Sequence, residues 1–167
     1  MCPIVLLQGQ YFFSDIHKEG IVLYELDDEP LAEPQPLTAR ERYEVAKGHF
    51  EERFKSALSF QKMSSFGLQQ GLSKNAAFQL HQTVENAYTC VLLTLTNYTP
   101  AAHNIKFLRG LAEGQCPPLA EAWPRDEQRL RAWLGERTQV RLDLIRSICE
   151  THLDRLRRVE EVEERQG

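Results

Sequence analysis

The sequence predicts an all-α fold, an up-and-down bundle of four helices preceded by a short extended or β-strand appendage. Apolar residues recur at helical spacing in four separate segments, which is typical of helices that bury one face. Proline-rich stretches precede the first segment and separate the third from the fourth. Thr38 and Glu41 match a capping-box pattern, which marks the start of the first helix. Helices joined by such connections form an antiparallel bundle.

Composition limits the function classes. A chain of 167 residues can bury the core of one domain, and 42% hydrophobic with 26% charged residues is typical of a globular protein. The net charge of -4 gives no overall attraction to nucleic acid or anionic membranes, so any such contact needs a local patch. No apolar run approaches the roughly 18 residues that span a bilayer. The four cysteines form no C-x-x-C pair, and we expect a reduced, cytoplasmic protein with no metal, cofactor or membrane partner.

The first 37 residues differ from the remainder. Within residues 1–29, aromatic and β-branched residues flank a polar turn at Gly20, which predicts a strand or hairpin near residues 21–26. A lone hairpin is marginally stable in water and must pack against something. Residues 30–37 contain three prolines and no hydrophobic period, which predicts a stiff linker.

The helical domain is expected at residues 38–160, followed by a charged tail at residues 161–167. Gly67 and Gly71 are expected to end the first helix, and Pro100 the second, because the residue before a proline disfavours helix. Pro124 suits the first turn of the last helix. The four helices are predicted at about residues 38–63, 75–97, 103–113 and 124–160.

The second predicted helix carries a polar cluster on otherwise apolar surroundings. At 100° per residue, His81 and Glu85 lie one turn apart beside its main apolar face. We predict that they form a polar border that stabilises packing or the seam of a dimer. About 24 Å of helix separates His81 from Asn97, so we expect His103, just past the turn, to belong to a separate locus.

The same helix is apolar on more than one side. Phe78, Leu92 and Leu93 lie outside its main apolar stripe. Such a helix has a second packing partner. It is therefore either central to the bundle or part of a homodimer interface.

Residues 76–111, "AAFQLHQTVENAYTCVLLTLTNYTPAAHNIKFLRGL", resemble a HEPN domain, the helical domain often attached to minimal nucleotidyltransferases in prokaryotes. The matching features are "HQ..EN.Y" on an apolar helix and "TNYTP..H.I..L" at the start of the next helix. Upstream, "GQYFFSDIHKEGIVLYE" resembles the closing strand region of the nucleotidyltransferase domain that precedes such helices. The resemblance covers most of residues 8–113.

The resemblance implies a non-catalytic module that binds nucleotide or RNA. It implies a homodimer that acts with a separately encoded minimal nucleotidyltransferase, in a toxin–antitoxin or stress setting. His103 matches the family pattern, and Lys106 and Arg109 extend it as nucleotide- or RNA-binding candidates. Nucleotidyl transfer by this chain is not expected, because the metal-binding G-S motif with spaced Asp residues is missing. Asp27 and Asp28 are adjacent, in a proline-rich stretch.

Two alternatives remain open. Some HEPN proteins are metal-independent ribonucleases with an R-x4–6-H motif, in which a fixed positive charge holds the phosphate and a histidine handles the proton. Arg146 and His152 match on the last helix, where that motif sits, and Arg42 and His49 match elsewhere. A surface ion pair is the structural interpretation of Arg146 and His152, which lie roughly 120° apart on a helix. The second alternative is a helical remnant that binds no ligand.

A connection before the last helix departs from the nucleotidyltransferase-linked relatives. The segment "CPPLAEAWPRDEQRLRAWLGER" stands in place of an Ala/Arg/Tyr-bearing segment, and it contains no tyrosine. It removes some of the residues that would line the family's cleft. Its arginines, interspersed with acids, are expected to be solvated: Arg125, Arg129, Arg131 and Arg137, followed by Arg141.

Overall fold

The structure is a computed structural model that describes residues 36–121 and 138–166, together with Glu19, Gly20, Ile21 and Leu23. The regular secondary structure of these residues is helical. The elements are α1 (Ala39–Gln69), α2 (Ser73–Thr96), α3 (Ile105–Gln115), a 3₁₀ turn (Pro117–Glu121) and α4 (Thr138–Gln166). The described residues thus confirm a helical bundle. The predicted N-terminal strand, most of the linker and the predicted start of the fourth helix at Pro124 lie outside the described residues.

The start of α1 has the capping box that the sequence predicts. The Glu41 backbone N–H donates to Thr38 Oγ1 at 3.2 Å, and the Thr38 N–H donates to the Glu41 carboxylate at 2.8 Å. The Thr38 hydroxyl also donates to this carboxylate, and the two hydrogen bonds from Thr38 lower the pKa of Glu41, because they favour the charged form. The bonds from the two backbone N–H groups also stabilise the start of the helix. Each satisfies a backbone donor that the first helical turn leaves without a partner.

Helix α4 runs antiparallel to α1 and ends beside its beginning. Glu163 accepts a hydrogen bond from the backbone N–H of Ala39 at 3.3 Å and lies 3.6 Å from the guanidinium of Arg42. A carboxylate at a helix N-terminus is favoured by the helix dipole. These contacts account for the extension of α4 to Gln166, through most of the residues expected to form a charged tail.

The turn between α1 and α2 differs from the prediction. Helix α1 continues through Gly67 to Gln69, and only Gly71, with a φ of +71°, forms the turn. Gly67 serves packing instead. A Cβ atom at this position would lie 3.3 Å from the Cβ of Ala76, and Ser64 Oγ donates to the Ala76 carbonyl at 2.9 Å. The two helices are therefore in close contact here.

This close contact gives a matched pair of stability predictions. Gly48→Ala is expected to raise the free energy of unfolding by about 0.5–1 kcal/mol, because alanine favours the helix and nothing lies within 4 Å of the new methyl group. Gly67→Ala is expected to give no gain or a loss, because its methyl group crowds Ala76. Urea unfolding of both variants provides the measurement. An equal gain in both would contradict the close packing.

Helix α2 is the central helix of the bundle. It packs against α1, α3 and α4. Leu92, one of the apolar residues outside its main stripe, is buried within the chain. The second partner of this helix is therefore found inside the chain, which removes part of the reason for expecting a dimer. The main core comprises Phe54, Ala57, Ala87, Tyr88, Cys90, Val91, Leu92, Leu108, Ala112, Leu119, Leu142, Ile145 and Cys149.

Helix α2 ends as the sequence predicts. Asn97 is the only described non-glycine residue with a positive φ, 55°, and its N–H donates to the carbonyl of Leu93 at 2.8 Å. Its side-chain Oδ1 lies 2.7 Å from His49 Nε2 on α1. The end of α2 is therefore fixed to α1.

Within the part of the chain that the structure describes, no helix is long and apolar enough to cross a membrane.

Candidate functional site

The candidate site is a carboxylate placed between two histidines. Glu85 Oε1 lies 2.9 Å from His103 Nδ1, and Glu85 Oε2 lies 3.8 Å from His81 Nδ1. The Glu85 side chain is 13% exposed, whereas that of His103 is 89% exposed. His81 and Glu85 do border the apolar face of α2, as the sequence predicts. The expectation that His103 belongs to a separate locus is wrong.

The path of the connection after α2 explains this correction. About 18 Å of helix separates Glu85 from Asn97, at 1.5 Å per residue. Seven residues in extended conformation span at most about 25 Å, so the segment from Asn97 to His103 can return along α2 to reach Glu85. The Ala102 N–H donates to the Pro100 carbonyl at 2.8 Å within this connection. The loop therefore adds His103 to the polar border of α2.

The three side chains do not form a metal site. His103 Nδ1 is hydrogen-bonded to Glu85 Oε1, whereas His81 Nδ1 lies 3.8 Å from Glu85 Oε2, too far for a hydrogen bond. Across residues 36–121 and 138–166, no group of three or more His, Cys, Asp or Glu side chains is arranged to hold a metal ion.

The start of α3 presents two of the three predicted binding residues to solvent. Asn104 caps the helix, since its Oδ1 accepts from the backbone N–H groups of Lys106 at 3.0 Å and Phe107 at 3.3 Å. Lys106 is exposed, like His103 three residues earlier. Arg109 turns inward and forms an ion pair with Glu113. It therefore does not continue the exposed basic edge.

A buried polar cluster lies between α2, α3 and α4. The side chains of Arg109 and Glu113 are 16% and 9% exposed, and Arg109 Nη2 has no hydrogen-bond partner among the described residues. Tyr88 is fully buried, which raises its pKa to about 12. The nearby charge of Arg109 opposes this rise, that of Glu113 adds to it, and that of Arg141 opposes it. The cluster places two cations and one anion beside a neutral phenol.

Arg141 corrects the expectation that the arginines around residues 125–141 are solvated. It is only 5% exposed. Its burial could have been predicted from helical spacing. Arg141 precedes Ile145 by four residues and Cys149 by eight, so the three residues share one face of the helix, and the other two are buried. The residue therefore sits on the inward face of α4, whereas Arg125, Arg129, Arg131 and Arg137 lie outside the described residues.

A groove lies on the side of α3 that carries Leu111 and Gln115, away from the side that carries Arg109 and Glu113. It has a volume of about 530 Å³ and is mostly apolar. Leu111 contributes from α3, and Phe107, half-exposed, lies one helical turn before it on the same side. The connection that carries His103 also contributes to this groove. The lining residues are Leu92, Leu95, Thr96, Tyr98, Pro100, Leu111 and Gln115.

The two arginine–histidine pairs have other contacts. The Arg146 guanidinium lies 4.9 Å from the centre of the Phe54 ring, a cation–π contact that holds it against α1. His152 is half-buried, and burial lowers its pKa, with Arg155 adding to the effect. In the other pair, Arg42 contacts Glu163 and His49 contacts Asn97. Ribonuclease activity from Arg146 and His152 stays a prediction.

Neither a family model nor a curated protein matches this chain. The resemblance to HEPN domains therefore rests on the motifs of residues 76–111.

Proposed function

We propose that the chain is a HEPN-like helical module that binds the phosphate groups of nucleotides or RNA, without nucleotidyl transfer. The observation that supports this proposal best is the pairing of exposed His103 with the oriented carboxylate of Glu85, three residues before exposed Lys106. In a chain with a net charge of -4, exposed Lys106 supplies the local positive charge that an anionic ligand requires.

Glu85 prepares His103 for a ligand. A proton on His103 Nδ1 directed at Glu85 fixes the tautomer, so the Nε2 lone pair faces solvent and can accept a hydrogen bond from a base N–H or a ribose hydroxyl. Because the Glu85 side chain is largely covered, its position changes little when a ligand arrives. Lys106 adds a fixed positive charge on the same edge.

Aromatic residues beside this edge suit a nucleobase. Tyr98 and Phe107 are about half exposed, on the connection after α2 and on the first turn of α3. Bases stack on exposed aromatic rings without a sequence requirement. Tyr98 also lines the groove of about 530 Å³, which falls in the range of small-ligand sites. We infer that the base enters this groove and that the phosphates lie toward Lys106.

The experiment is a titration of fluorescent single-stranded RNA and of ATP, followed by anisotropy at two salt concentrations. Lys106→Ala is expected to weaken binding about 5- to 10-fold. It is also expected to reduce the slope of log affinity against log salt concentration by about one, because one phosphate contact is lost. His103→Ala is expected to weaken binding without that change in salt dependence, because its Nε2 contact is made to the base or the ribose and not to a phosphate. Lys55→Ala, which removes an exposed lysine from the middle of α1, is the matched control. Equal effects of Lys106→Ala and Lys55→Ala would contradict the proposed site.

The proposal includes a homodimer and a separate nucleotidyltransferase partner, in a toxin–antitoxin or stress setting. The partner and the setting derive from the resemblance, and the homodimer derives from the apolar residues on more than one side of α2. The burial of Leu92 weakens the argument for a dimer seam on α2, although His81 and Glu85 border its exposed side. Light scattering at high micromolar concentration tests the dimer, and a monomeric mass would remove it from the proposal.

A further inference from the structure

The turn between α1 and α2 ends in an unusually apolar surface, which we call the hairpin tip. It consists of five large side chains that are 52–61% exposed: Met63, Phe66, Leu68, Leu72 and Phe78. They are consecutive large apolar residues on either side of one turn. Several large apolar side chains exposed around one turn indicate a site that another surface covers.

Tight packing inside the tip leaves these side chains no place in the interior. Gly67 and Ala76 bring the two helices close together, and Ser64 donates to the Ala76 carbonyl. The turn is closed by the Leu72 N–H, which donates to the Gly67 carbonyl at 2.8 Å. The tip is therefore a rigid element that holds its large apolar groups outward.

The apolar side chains surround the tip. At 100° per residue, Phe66 and Leu68 lie about 160° apart around α1. Phe78 likewise lies about 160° from buried Ala76 around α2. A flat protein partner would cover one of these sides and leave the others in water. An environment that encloses the tip would cover all of them.

The sequence on both sides of the turn carries charge of a single sign. Residues 56–84 contain no aspartate or glutamate, although the chain has 24 acidic residues. Lys62 directly precedes the tip residues, Lys74 lies between Leu72 and Phe78, and both lysines are exposed. A second copy of the chain, docked tip to tip, would bring these lysines together and repel. An anionic surface would attract them.

We propose that the hairpin tip inserts into the headgroup region of an anionic lipid bilayer. The phenylalanines and leucines would enter the boundary between headgroups and acyl chains, while Lys62 and Lys74 contact the anionic headgroups. The chain would lie on the membrane without crossing it. Overall charge predicted no membrane attraction, and the hairpin tip is a local exception to that average.

Vesicle co-sedimentation of the full chain tests the proposal, with phosphatidylcholine vesicles compared with vesicles that also contain phosphatidylglycerol. The chain is expected to bind the anionic vesicles at low salt and the neutral ones weakly. Phe66→Ser with Phe78→Ser is expected to reduce binding more than tenfold. Lys62→Gln with Lys74→Gln is expected to reduce it about 20-fold at low salt and much less at high salt.

Val162→Ser is the matched control, because it removes a half-exposed apolar side chain next to Glu163, which contacts Ala39 at the end of α1 away from the turn, and it is expected to leave vesicle binding unchanged. Circular dichroism verifies that each variant is folded, which is expected because the replaced side chains are exposed. Absence of vesicle binding by the wild-type chain would overturn the proposal, as would binding that the tip variants leave intact. A concentration-dependent dimer that only the tip variants abolish would overturn it in favour of a second copy.

Discussion

Glu113→Gln is expected to lower the free energy of unfolding by about 3–5 kcal/mol, the usual effect of removing one partner from a buried ion pair. The Glu113 side chain is 9% exposed and is paired with Arg109. Without its charge, Arg109 would keep a largely buried guanidinium near the second buried cation, Arg141. A largely buried guanidinium whose anionic partner has been removed is costly at any pH at which arginine is charged.

Urea unfolding measures this effect, and Glu52→Gln is its control. Glu52 forms an i,i+1 contact with Arg53 at 3.9 Å, with both side chains well exposed. An exposed pair of this kind contributes at most about 1 kcal/mol. If Glu113→Gln costs no more than Glu52→Gln, the buried cluster is not held together by charge.

Alkaline pH is expected to destabilise the protein through Tyr88. The folded-state pKa of Tyr88 is raised to about 12 from 10.0 by burial. Between these two values the unfolded chain loses the phenolic proton while the folded chain keeps it. The free energy of unfolding should therefore be unaffected below about pH 10 and should fall by about 2–3 kcal/mol as the pH approaches 12.

Other groups titrate in the same range, so the test is a difference between two proteins. Urea unfolding of the wild type and of Tyr88→Phe from pH 9 to pH 12 isolates the contribution of this phenol. The wild type is expected to lose about 2–3 kcal/mol more than the variant over that range. Parallel curves would show that Tyr88 titrates normally and that the cluster does not exclude water.

The helices were predictable because apolar periodicity and helix caps depend on residues that are close together in the sequence. The Thr38–Glu41 box and the end of α2 at Asn97 both follow from such local signals. Gly67 misled the prediction because a glycine can serve a turn or a close helix contact, and only the position of Ala76 decides between them. Arg141 misled the prediction for a similar reason. Its charged neighbours in sequence indicated solvation, whereas its helical spacing from Ile145 and Cys149 indicated burial.

The meeting of Glu85 with His103 could not be predicted from periodicity. Helical spacing gives the length of α2 but not the direction in which the following connection leaves it. Because this connection returns along α2, the polar border and the family-matching histidine form one site. The charged residues around Tyr88 depend in the same way on how three helices pack. This packing cannot be predicted from a local sequence pattern.

The most direct test of the proposed function is the unfolding temperature of the wild-type chain in the presence of nucleoside triphosphates and short single-stranded RNAs. A ligand at a hundred times its dissociation constant should raise the free energy of unfolding by about 2.7 kcal/mol. We expect such a gain with at least one of these ligands, and we expect Lys106→Ala to reduce it at the same ligand concentration. A wild-type unfolding temperature that none of them changes would contradict the account and would indicate a helical remnant that binds no ligand.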